Sequence, residues 1–482
     1  MNTFCKWIGT GWISIGAAAM LLMGNAQAQL SGAGDRFLVV GENLLKGAPD
    51  GTFGLDGMVA GDLDCDGRDD LVVLQPGSTV NVSGSNIAGG VVTVIPTRNQ
   101  NAPQGGSSFE WHQGVVGVPG AVEAGDRFGA SATIFDLSGD GCEDLFVGVP
   151  GEDIGGLSNA GAVQGFLGDA ALVLGTAREG TIDGTVANET TGSSLVAKDG
   201  AIFRRLYVGR SGRNGPGPAF SPNVGIVTSH ALILSGTLFL AADDLLADIR
   251  NLVGNPASSN HRWGSQMLAS VGASLVALRG SGANEVSLIS GGLGSLDQHE
   301  QRIPAAGELM ATGDFDGDGR LEHVQQESMF GPVLTVRKLI GTTFVLASTI
   351  PSQLLPGVEF TSVQALAVGD FNRDGFDDLA LGLPGIQSLS ATTGNVLILS
   401  GSAAGLTTSN PQRLQQGVGG LLDSGESDDF FGSALAVGDW NGDGVDDLAV
   451  GVPGERVLTE TRGGVHLIFG TAQPQLFASS FE

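Results

Sequence analysis

The sequence predicts an all-β protein, a seven-bladed β-propeller whose ring is closed by strands from both ends of the chain. Two observations favour an all-β architecture. Glycine accounts for 79 of the 482 residues, more than twice its usual share, and the apolar residues fall in short runs between Gly- and Asp-rich turns. The third observation is an internal repeat, which we count seven times and which predicts the ring.

The first 28 residues have the features of a secretory signal peptide. Lys6 provides a positive charge, residues 13–23 form an apolar run, and Ala26 and Ala28 supply the small residues of a cleavage site. The run of 11 residues is about half of what a helix needs to cross a bilayer, so a signal peptide is favoured over a membrane anchor. We therefore expect no transmembrane segment and an exported protein, which is extracellular, on the cell surface or periplasmic.

The charge of the chain excludes one class of partner. Lys and Arg number 23 against 51 Asp and Glu, and the net charge of −28 would repel a phosphate backbone. Nucleic acid is therefore not expected as a partner.

The internal repeat joins two apolar runs through an acidic loop. Residues 431–455 read FGSALAVGDWNGDGVDDLAVGVPGE, and residues 128–152 have the same length and the same ends. Three more units keep the acidic loop, and two keep only the apolar runs. In chain order, the seven units contain residues 58–74, 128–152, 192–212, 263–282, 309–325, 362–385 and 431–455.

Each unit predicts one blade of short antiparallel strands. In the last unit the apolar runs are 434–437, 448–451 and 464–469, and too few residues follow for a fourth strand. The run at 36–40 could supply it, which would close the ring and protect its edges. Residues 29–470 are then the propeller and 471–482 a short tail. A β-solenoid is the structural alternative, but solenoid repeats are much shorter.

The acidic loops have the spacing of a calcium site. Oxygen side chains stand at positions 1, 3, 5 and 9, glycine stands at position 6, and the carbonyl of position 7 can join them. An EF-hand is excluded, since its twelfth residue is a Glu on a helix, whereas Val73, Leu381 and Val450 stand there inside predicted strands. The alternative is an Asp/Gly-rich turn without metal, but five copies on one spacing favour Ca²⁺, with up to five ions.

The predicted metal ligands are named here by loop, with position 7 contributing its carbonyl. Loop 1 offers Asp62, Asp64, Asp66, Arg68 and Asp70; loop 2 offers Asp136, Ser138, Asp140, Cys142 and Asp144; loop 5 offers Asp314, Asp316, Asp318, Arg320 and Glu322; loop 6 offers Asp370, Asn372, Asp374, Phe376 and Asp378; loop 7 offers Asp439, Asn441, Asp443, Val445 and Asp447.

Two further expectations concern residues inside these loops. The hydrophobic residue at position 2 is expected to pack between blades; it is Leu63, Leu137, Phe315, Phe371 or Trp440. Cys65 and Cys142 lie in loops of different units, and for that reason we expect them not to form a disulfide.

The order of Phe-Gly, acidic loop and Gly-x-Pro resembles the FG-GAP repeats of the integrin alpha-subunit propeller. Phe-Gly stands at 128–129 and 431–432, and Gly-x-Pro stands at 148–150, 382–384 and 451–453. The resemblance implies a non-enzymatic recognition or adhesion module with a protein or glycan ligand. It also implies that partners meet the face opposite the calcium loops, where the turns at 152–161, 213–225, 386–394 and 456–463 and the connection at 423–430 are expected.

An enzyme is the alternative function. The six histidines are scattered, with no HExxH pair and no Gly-x-Ser-x-Gly elbow before a helix, so no catalytic constellation is predicted. A hydrolase or lyase acting on envelope or extracellular polysaccharide or lipid remains open. Polar residues that converge in a deep central pocket would favour it.

Overall fold

The structure is a computed structural model of the full chain. It describes residues 30–38, 57–97, 108–136, 139–169, 180–198, 205–212, 226–235, 238–247, 263–269, 276–280, 285–290, 299–304, 309–326, 334–340, 343–351, 363–385, 387–388, 391–457, 460–461 and 463–472. The predicted signal peptide and most of the predicted tail lie outside these ranges. Among the described residues, no helix is long and apolar enough to cross a membrane.

The described residues form strands and turns, which assemble into seven four-stranded sheets and three two-stranded hairpins. The amino-terminal strand β1 (Leu30–Leu38) belongs to sheet 7. Sheet 1 contains β2 (Met58–Gly61), β3 (Asp70–Gln75), β6 (Val91–Ile95) and β7 (Phe109–Trp111), with the hairpin β4 (Thr79–Val82) and β5 (Ser85–Ala88) between β3 and β6. Sheet 2 contains β8 (Ser131–Phe135), β9 (Asp144–Val149), β10 (Ala162–Phe166) and β11 (Gly180–Asp183).

The next two sheets follow in chain order. Sheet 3 contains β12 (Thr191–Lys198), β13 (Arg205–Arg210), β14 (Ile226–Ser235) and β15 (Leu238–Ala247). Sheet 4 contains β16 (Trp263–Ala269), β17 (Val276–Gly280), β18 (Glu285–Ser290) and β19 (His299–Pro304).

The last three sheets contain the carboxy-terminal repeats. Sheet 5 contains β20 (Met310–Gly313), β21 (Glu322–Gln326), β22 (Leu334–Ile340) and β23 (Thr343–Ile350). Sheet 6 contains β24 (Ala365–Gly369), β25 (Asp378–Leu383), β28 (Asn395–Leu399) and β29 (Gln412–Leu414), with the hairpin β26 (Gln387–Ser388) and β27 (Ala391–Thr392). Sheet 7 contains β30 (Leu435–Gly438), β31 (Asp447–Val452) and β34 (Gly464–Gly470), with the hairpin β32 (Arg456–Val457) and β33 (Glu460–Thr461).

The two ends of the chain meet in sheet 7, as the sequence predicts. Strand β1 pairs with β34 in antiparallel register, with Arg36 opposite Leu467 and Leu38 opposite Val465. The predicted closing run extends to residue 40, and its last two residues lie outside the described ranges. Pairing with β1 covers the edge of β34 that would otherwise be unpaired.

The sheets follow one another as blades of a β-propeller. Their first strands lie side by side in the order β2, β8, β12, β16, β20, β24 and β30, and β30 lies beside β2. The structure describes side chains in every strand of five of these sheets, namely sheets 1, 2, 5, 6 and 7. These five are blades, fewer than the seven that the sequence predicts.

The core lies between neighbouring blades. The second strands β3, β9, β25 and β31 are buried along their whole length. The position-2 residues pack in this space: Leu63 contacts the cluster of sheet 2, and Trp440 contacts that of sheet 1. Phe315 and Phe371 do the same against sheets 6 and 7, so their predicted packing role is confirmed. Leu137 lies outside the described residues.

Cys65 and Cys142 form a disulfide, with Cα atoms 4.7 Å apart. The expectation that they do not pair is wrong. It treated loops of different units as distant, whereas loops 1 and 2 belong to neighbouring blades and protrude from the same face of the ring. The bond joins these two loops across 77 residues of sequence.

Candidate functional site

The five acidic loops each join the first strand of a sheet to the second. Loop 1 follows β2, loop 2 follows β8, loop 5 follows β20, loop 6 follows β24 and loop 7 follows β30. Because these strands occupy equivalent places in their sheets, all five loops lie on one face of the ring, which we call the loop face.

Each loop wraps its backbone around the carboxylate at position 1. In loop 7, Asp439 Oδ1 accepts hydrogen bonds from the amides of Gly442 and Asp443 at 2.8 and 3.0 Å. Its Oδ2 accepts one from Gly444 at 2.8 Å. Gly444 stands at position 6 with φ of 76°, a backbone conformation that favours glycine. The glycine of the motif thus lets the chain turn back towards its own acid.

The same pattern of hydrogen bonds recurs in three other loops. The amides of positions 5 and 6 donate to the two oxygens of Asp62, Asp314 and Asp370, at distances between 2.8 and 3.0 Å. The position-3 side chain accepts from the amide of position 5, as Asn441 does at 2.8 Å. The position-5 acid accepts from the amide of position 7, as Asp443 does from Val445 at 2.9 Å.

Loop 2 keeps only part of the pattern within the described residues. Asp136 accepts from the amides of Gly139 and Gly141, and Asp140 accepts from the amide of Cys142. Ser138, its predicted position-3 ligand, lies outside the described residues.

The position-9 acids are buried at the root of each loop. Asp447 accepts from the amide of Trp440 at 3.1 Å and from that of Gly470 at 2.8 Å. Burial, opposed by these amides and reinforced by Asp443, raises the pKa of Asp447 to about 8. Burial likewise raises the pKa of Asp378 to about 8 and those of Asp70 and Glu322 to about 7. Asp144 is also buried and accepts from the amide of Gly168.

In loop 1 and in loop 5, the acidic side chains lie close enough together for each loop to hold one ion. Ligand oxygens of Asp62, Asp64 and Asp66 lie within 4.8 Å of one another, as do those of Asp314, Asp316 and Glu322. In loop 1, burial and the charges of Asp64 and Asp62 raise the pKa of Asp66. An all-oxygen ligand set under mutual repulsion fits a hard cation such as Ca²⁺. The position-7 amides of Arg68, Arg320, Phe376 and Val445 hold the position-5 acids, and their carbonyls remain predicted ligands.

Loop 5 differs because a lysine enters it. Lys338 Nζ pairs with Asp316, lies 2.7 Å from Asp318 and lies 3.6 Å from Glu322. The lysine stands opposite Glu322 in the pairing of β21 with β22. The protein therefore supplies a cation of its own to this loop. Sequence reasoning missed Lys338 because only the strand register brings it to the loop.

Four acids at position 8, in loops 1, 2, 6 and 7, connect their loop to the loop of the preceding blade. Asp69 Oδ2 accepts the amide of Asp439 at 2.8 Å, which joins sheet 1 to sheet 7. Equivalent bonds run from Asp62 to Glu143, from Asp314 to Asp377 and from Asp370 to Asp446, at 2.9, 2.7 and 2.8 Å. We call Asp69, Glu143, Asp377 and Asp446 the bridging acids. Their recurrence at position 8 of four loops is the sequence signal by which they could be identified.

A glycine before position 1 makes room for the bridging acid at three of the four bridges, namely at Gly61, Gly369 and Gly438. A Cβ atom built on Gly61 would lie 2.2 Å from Glu143 Oε2, and one on Gly438 would lie 2.8 Å from Asp69 Oδ2. Any larger residue would push the bridging acid away from the amide that it accepts.

Comparisons with known proteins identify the repeat. The FG-GAP repeat family matches residues 128–166, 362–398 and 431–468. The chain is also similar to phosphatidylinositol-glycan-specific phospholipase D of Bos taurus, with 40% identity over 118 residues, which are 24% of this chain and 14% of that protein. The proteins of the same name from Mus musculus and Homo sapiens are 40% and 37% identical over 113 and 118 residues, or 23% and 24% of this chain and 13% and 14% of theirs. The match thus spans about a seventh of the length of these relatives.

Proposed function

Since this chain is a β-propeller with FG-GAP repeats, we propose that it is an exported, calcium-binding recognition or adhesion module that performs no catalysis. The observation that carries the proposal is the repeated geometry of the loop face. There, four loops hold their position-1 acids by the same set of backbone amides, and each loop brings several oxygen side chains towards one another. Such an arrangement gains stability from a cation.

The propeller is proposed to have seven blades, with sheets 3 and 4 as the third and fourth. Two features support this count for sheet 3. Leu195, Leu206 and Val208 pack against Phe135 and Phe146 of sheet 2, as the other blades pack against their neighbours. Gly161 also forms a parallel bridge with Thr191, just as Gly394 does with Phe431 between sheets 6 and 7. For sheet 4, the support is the placement of β16 between β12 and β20. A crystal structure with another number of blades would contradict the count.

Loops 1, 2, 6 and 7 are proposed to bind one Ca²⁺ each, and loop 5 to bind it most weakly. In loop 5 an arriving ion must displace the ammonium group of Lys338 from Asp316 and Asp318. We expect affinities of about 10⁻⁴ to 10⁻³ M, the range of modules that work in calcium-rich extracellular fluid. The predicted carbonyl ligands at position 7 complete each set.

Export is supported by two independent features. The amino-terminal residues have the pattern of a signal peptide. The Cys65–Cys142 disulfide is a bond that forms and persists in oxidising compartments.

The partner is proposed to bind the face opposite the loop face, and to be a protein or a glycan. The connections between blades open on that opposite face, and they carry exposed aliphatic side chains. Val116 is 85% exposed, Val418 is 55% exposed, Leu422 is 49% exposed and Val186 is 42% exposed. These side chains give the connections of this face apolar surface that a partner can bury. Of the segments predicted for this role, 152–161 and 423–430 lie within the described residues, whereas 213–225 lies outside them.

The partner proposal is tested by a protein and glycan array probed with the full chain, with and without calcium. The triple variant Val116→Ser, Val418→Ser and Leu422→Ser should lose the signal found for the natural chain while keeping its calcium-dependent stability. Ile340→Ser is the matched control, since Ile340 is 58% exposed but lies at the end of β22 in sheet 5. Undiminished binding by the triple variant would contradict the assigned face.

A hydrolase or lyase acting on polysaccharide or lipid is the second candidate, because the similar proteins are named as phospholipases. Among the histidines whose side chains the structure describes, His323 and His466 are fully buried in strands, and only His112 reaches the surface. Burial lowers the pKa of His323 to about 4. Release of product from phosphatidylinositol-glycan or envelope polysaccharide by the purified chain would replace the recognition role with this one.

A further inference from the structure

A second group of acids lies on the face opposite the calcium loops, between sheets 6 and 7. Carboxylate oxygens of Glu426, Asp429 and Glu455 lie within 4.8 Å of one another. Glu426 and Asp429 precede β30, and Glu455 follows β31, so the group sits at the far end of these strands from loop 7. We call these three residues, with Gln416, the opposite-face cluster. None of them belongs to a predicted calcium loop.

Two buried oxygen atoms in this cluster have no hydrogen-bond partner. Gln416 is 3% exposed, and its Nε2 donates to Glu455 Oε2 at 2.9 Å, which fixes the end of the side chain at the cluster. The Oε1 atom of Gln416 is buried without a partner. Asp429 is 0% exposed, and while its Oδ2 accepts the amide of Glu426, its Oδ1 is buried without a partner. Most buried oxygens accept a hydrogen bond, so Asp429 Oδ1 has a free position at which it can accept a ligand.

The negative charge around these oxygens favours a bound cation. Burial raises the pKa of Glu455 to about 8, and the charges of Asp429 and Asp423 add to the effect. Among the described residues, the exposed Arg456 lowers the pKa of Asp429, and this is the smallest of the influences on that pKa. Asp423 and Glu426 are exposed, so an ion can reach the cluster from solvent.

The same residues recur between sheets 1 and 2 at the same spacing. Gln113, Glu123, Asp126 and Glu152 follow one another as Gln416, Glu426, Asp429 and Glu455 do. Gln113 Nε2 donates to Glu152 Oε2 at 2.6 Å, and the amide of Glu123 donates to Asp126 Oδ2 at 2.5 Å. This copy has no counterpart of the acid Asp423, because Gly120 stands at the equivalent position. Gly120 and Asp423 both have positive φ.

Between sheets 2 and 3 the chain satisfies an equivalent acid with its own cation. Glu189 precedes Thr191-Gly192 as Asp429 precedes Phe431-Gly432, and its Oε2 accepts the amide of Val186, three residues earlier. Its Oε1 pairs with Arg210 Nη1 at 2.9 Å, and both side chains are buried. Thus the site between sheets 2 and 3 contains an arginine, whereas the opposite-face cluster consists of three acids and one amide.

We propose that Glu426, Asp429 and Glu455, the last oriented by Gln416 Nε2, bind a calcium ion that joins blade 6 to blade 7. All three donors are carboxylate oxygens, as Ca²⁺ prefers, and Asp423 adds a further carboxylate at the solvent side. Glu426 and Asp429 come from the connection between β29 and β30, whereas Glu455 follows β31, so the ion ties together two blades. The copy with Gln113, which has one acid fewer, is expected to bind the ion more weakly.

Calcium titration of the full chain by calorimetry tests the proposal. The double variant Asp429→Asn and Glu455→Gln should bind one ion fewer than the natural chain, and Asp439→Asn should also bind one fewer, independently. A double variant with the natural stoichiometry would overturn the proposal. Because Asp439 belongs to loop 7, its variant tests the proposed loop sites separately. If the opposite-face cluster binds no ion, binding at the loops can still be measured, and the reverse also holds.

A second measurement does not depend on the folding of a variant. Crystals of the natural chain grown in calcium, with diffraction data collected at long wavelength, should show anomalous density among Glu426, Asp429 and Glu455. Density at the loop face alone would overturn the proposal. As a milder variant, Gln416→Leu removes the donor that orients Glu455 and should weaken this site by about tenfold, whereas unchanged affinity would count against that orienting role.

Discussion

The bridging acid Asp69 offers the sharpest test of how the ring is held closed. Its Oδ2 accepts the amide of Asp439 at 2.8 Å, and the amide of Asp69 donates to the carbonyl of Asp439 at 3.2 Å. These bonds connect the first complete blade to the last. Replacing Asp69 by Ala removes the carboxylate bond and leaves the backbone bond in place.

The expected loss follows from the kind of bond removed. A hydrogen bond to a charged group contributes about 1.5–3 kcal/mol to stability. Burial raises the pKa of Asp69, which means that its charged form already carries a desolvation cost in the fold. We therefore expect Asp69→Ala to lower the free energy of unfolding by about 2 kcal/mol, in the middle of this range.

Urea unfolding followed by circular dichroism measures this loss, in excess calcium and at pH 7. Glu110→Ala is the matched control, because Glu110 is an exposed acid of β7 in the same sheet. The control should stay within about 0.5 kcal/mol of the natural chain, as exposed substitutions do. If Asp69→Ala were no more destabilising than Glu110→Ala, the bridging acids would not hold neighbouring blades together.

Three further predictions concern the loops. In the presence of chelator, the melting temperature should fall as the pH rises from about 4 to about 8. Asp378 and Asp447, with pKa values near 8, keep their protons in the folded protein over this range, whereas in the unfolded chain they lose them. A melting temperature that does not change over this range would contradict the prediction. Lys338→Met should strengthen calcium binding at loop 5 at least about tenfold in calorimetry, since the ion no longer displaces the ammonium group; unchanged affinity would refute the competition. Cys65→Ser with Cys142→Ser should cost about 4 kcal/mol in urea unfolding, the expected effect of opening a 77-residue loop, and a loss below about 1 kcal/mol would show that the bond contributes little.

The repeat made the β-propeller and the local turns of the acidic loops predictable from sequence. A fixed offset of Asp, Asn and Gly residues specifies the local turn, because each acid bonds to amides only a few residues away, as Asp439 does with Gly444. The strand from the amino terminus was predictable as well, since sheet 7 lacked a fourth strand and the ring would otherwise have an open edge.

Contacts between units were harder to predict than contacts within them. The Cys65–Cys142 bond, the bridge from Asp69 to Asp439 and the entry of Lys338 into loop 5 all depend on which residues of neighbouring strands or blades lie side by side. Which residues lie side by side depends on strand register and on how the blades pack, and the sequence pattern of a single repeat does not specify either. Gln416 was missed for the same reason, because its partner Glu455 belongs to the next blade.

Counting the calcium ions bound per chain tests the central claim most directly. Equilibrium dialysis of the full chain at about 10 mM calcium, roughly tenfold or more above the expected dissociation constants, should give no fewer than four ions, one each for loops 1, 2, 6 and 7. Asp439→Asn should reduce the count by one. A count below four would contradict the account, and a count of one could come from the opposite-face cluster alone.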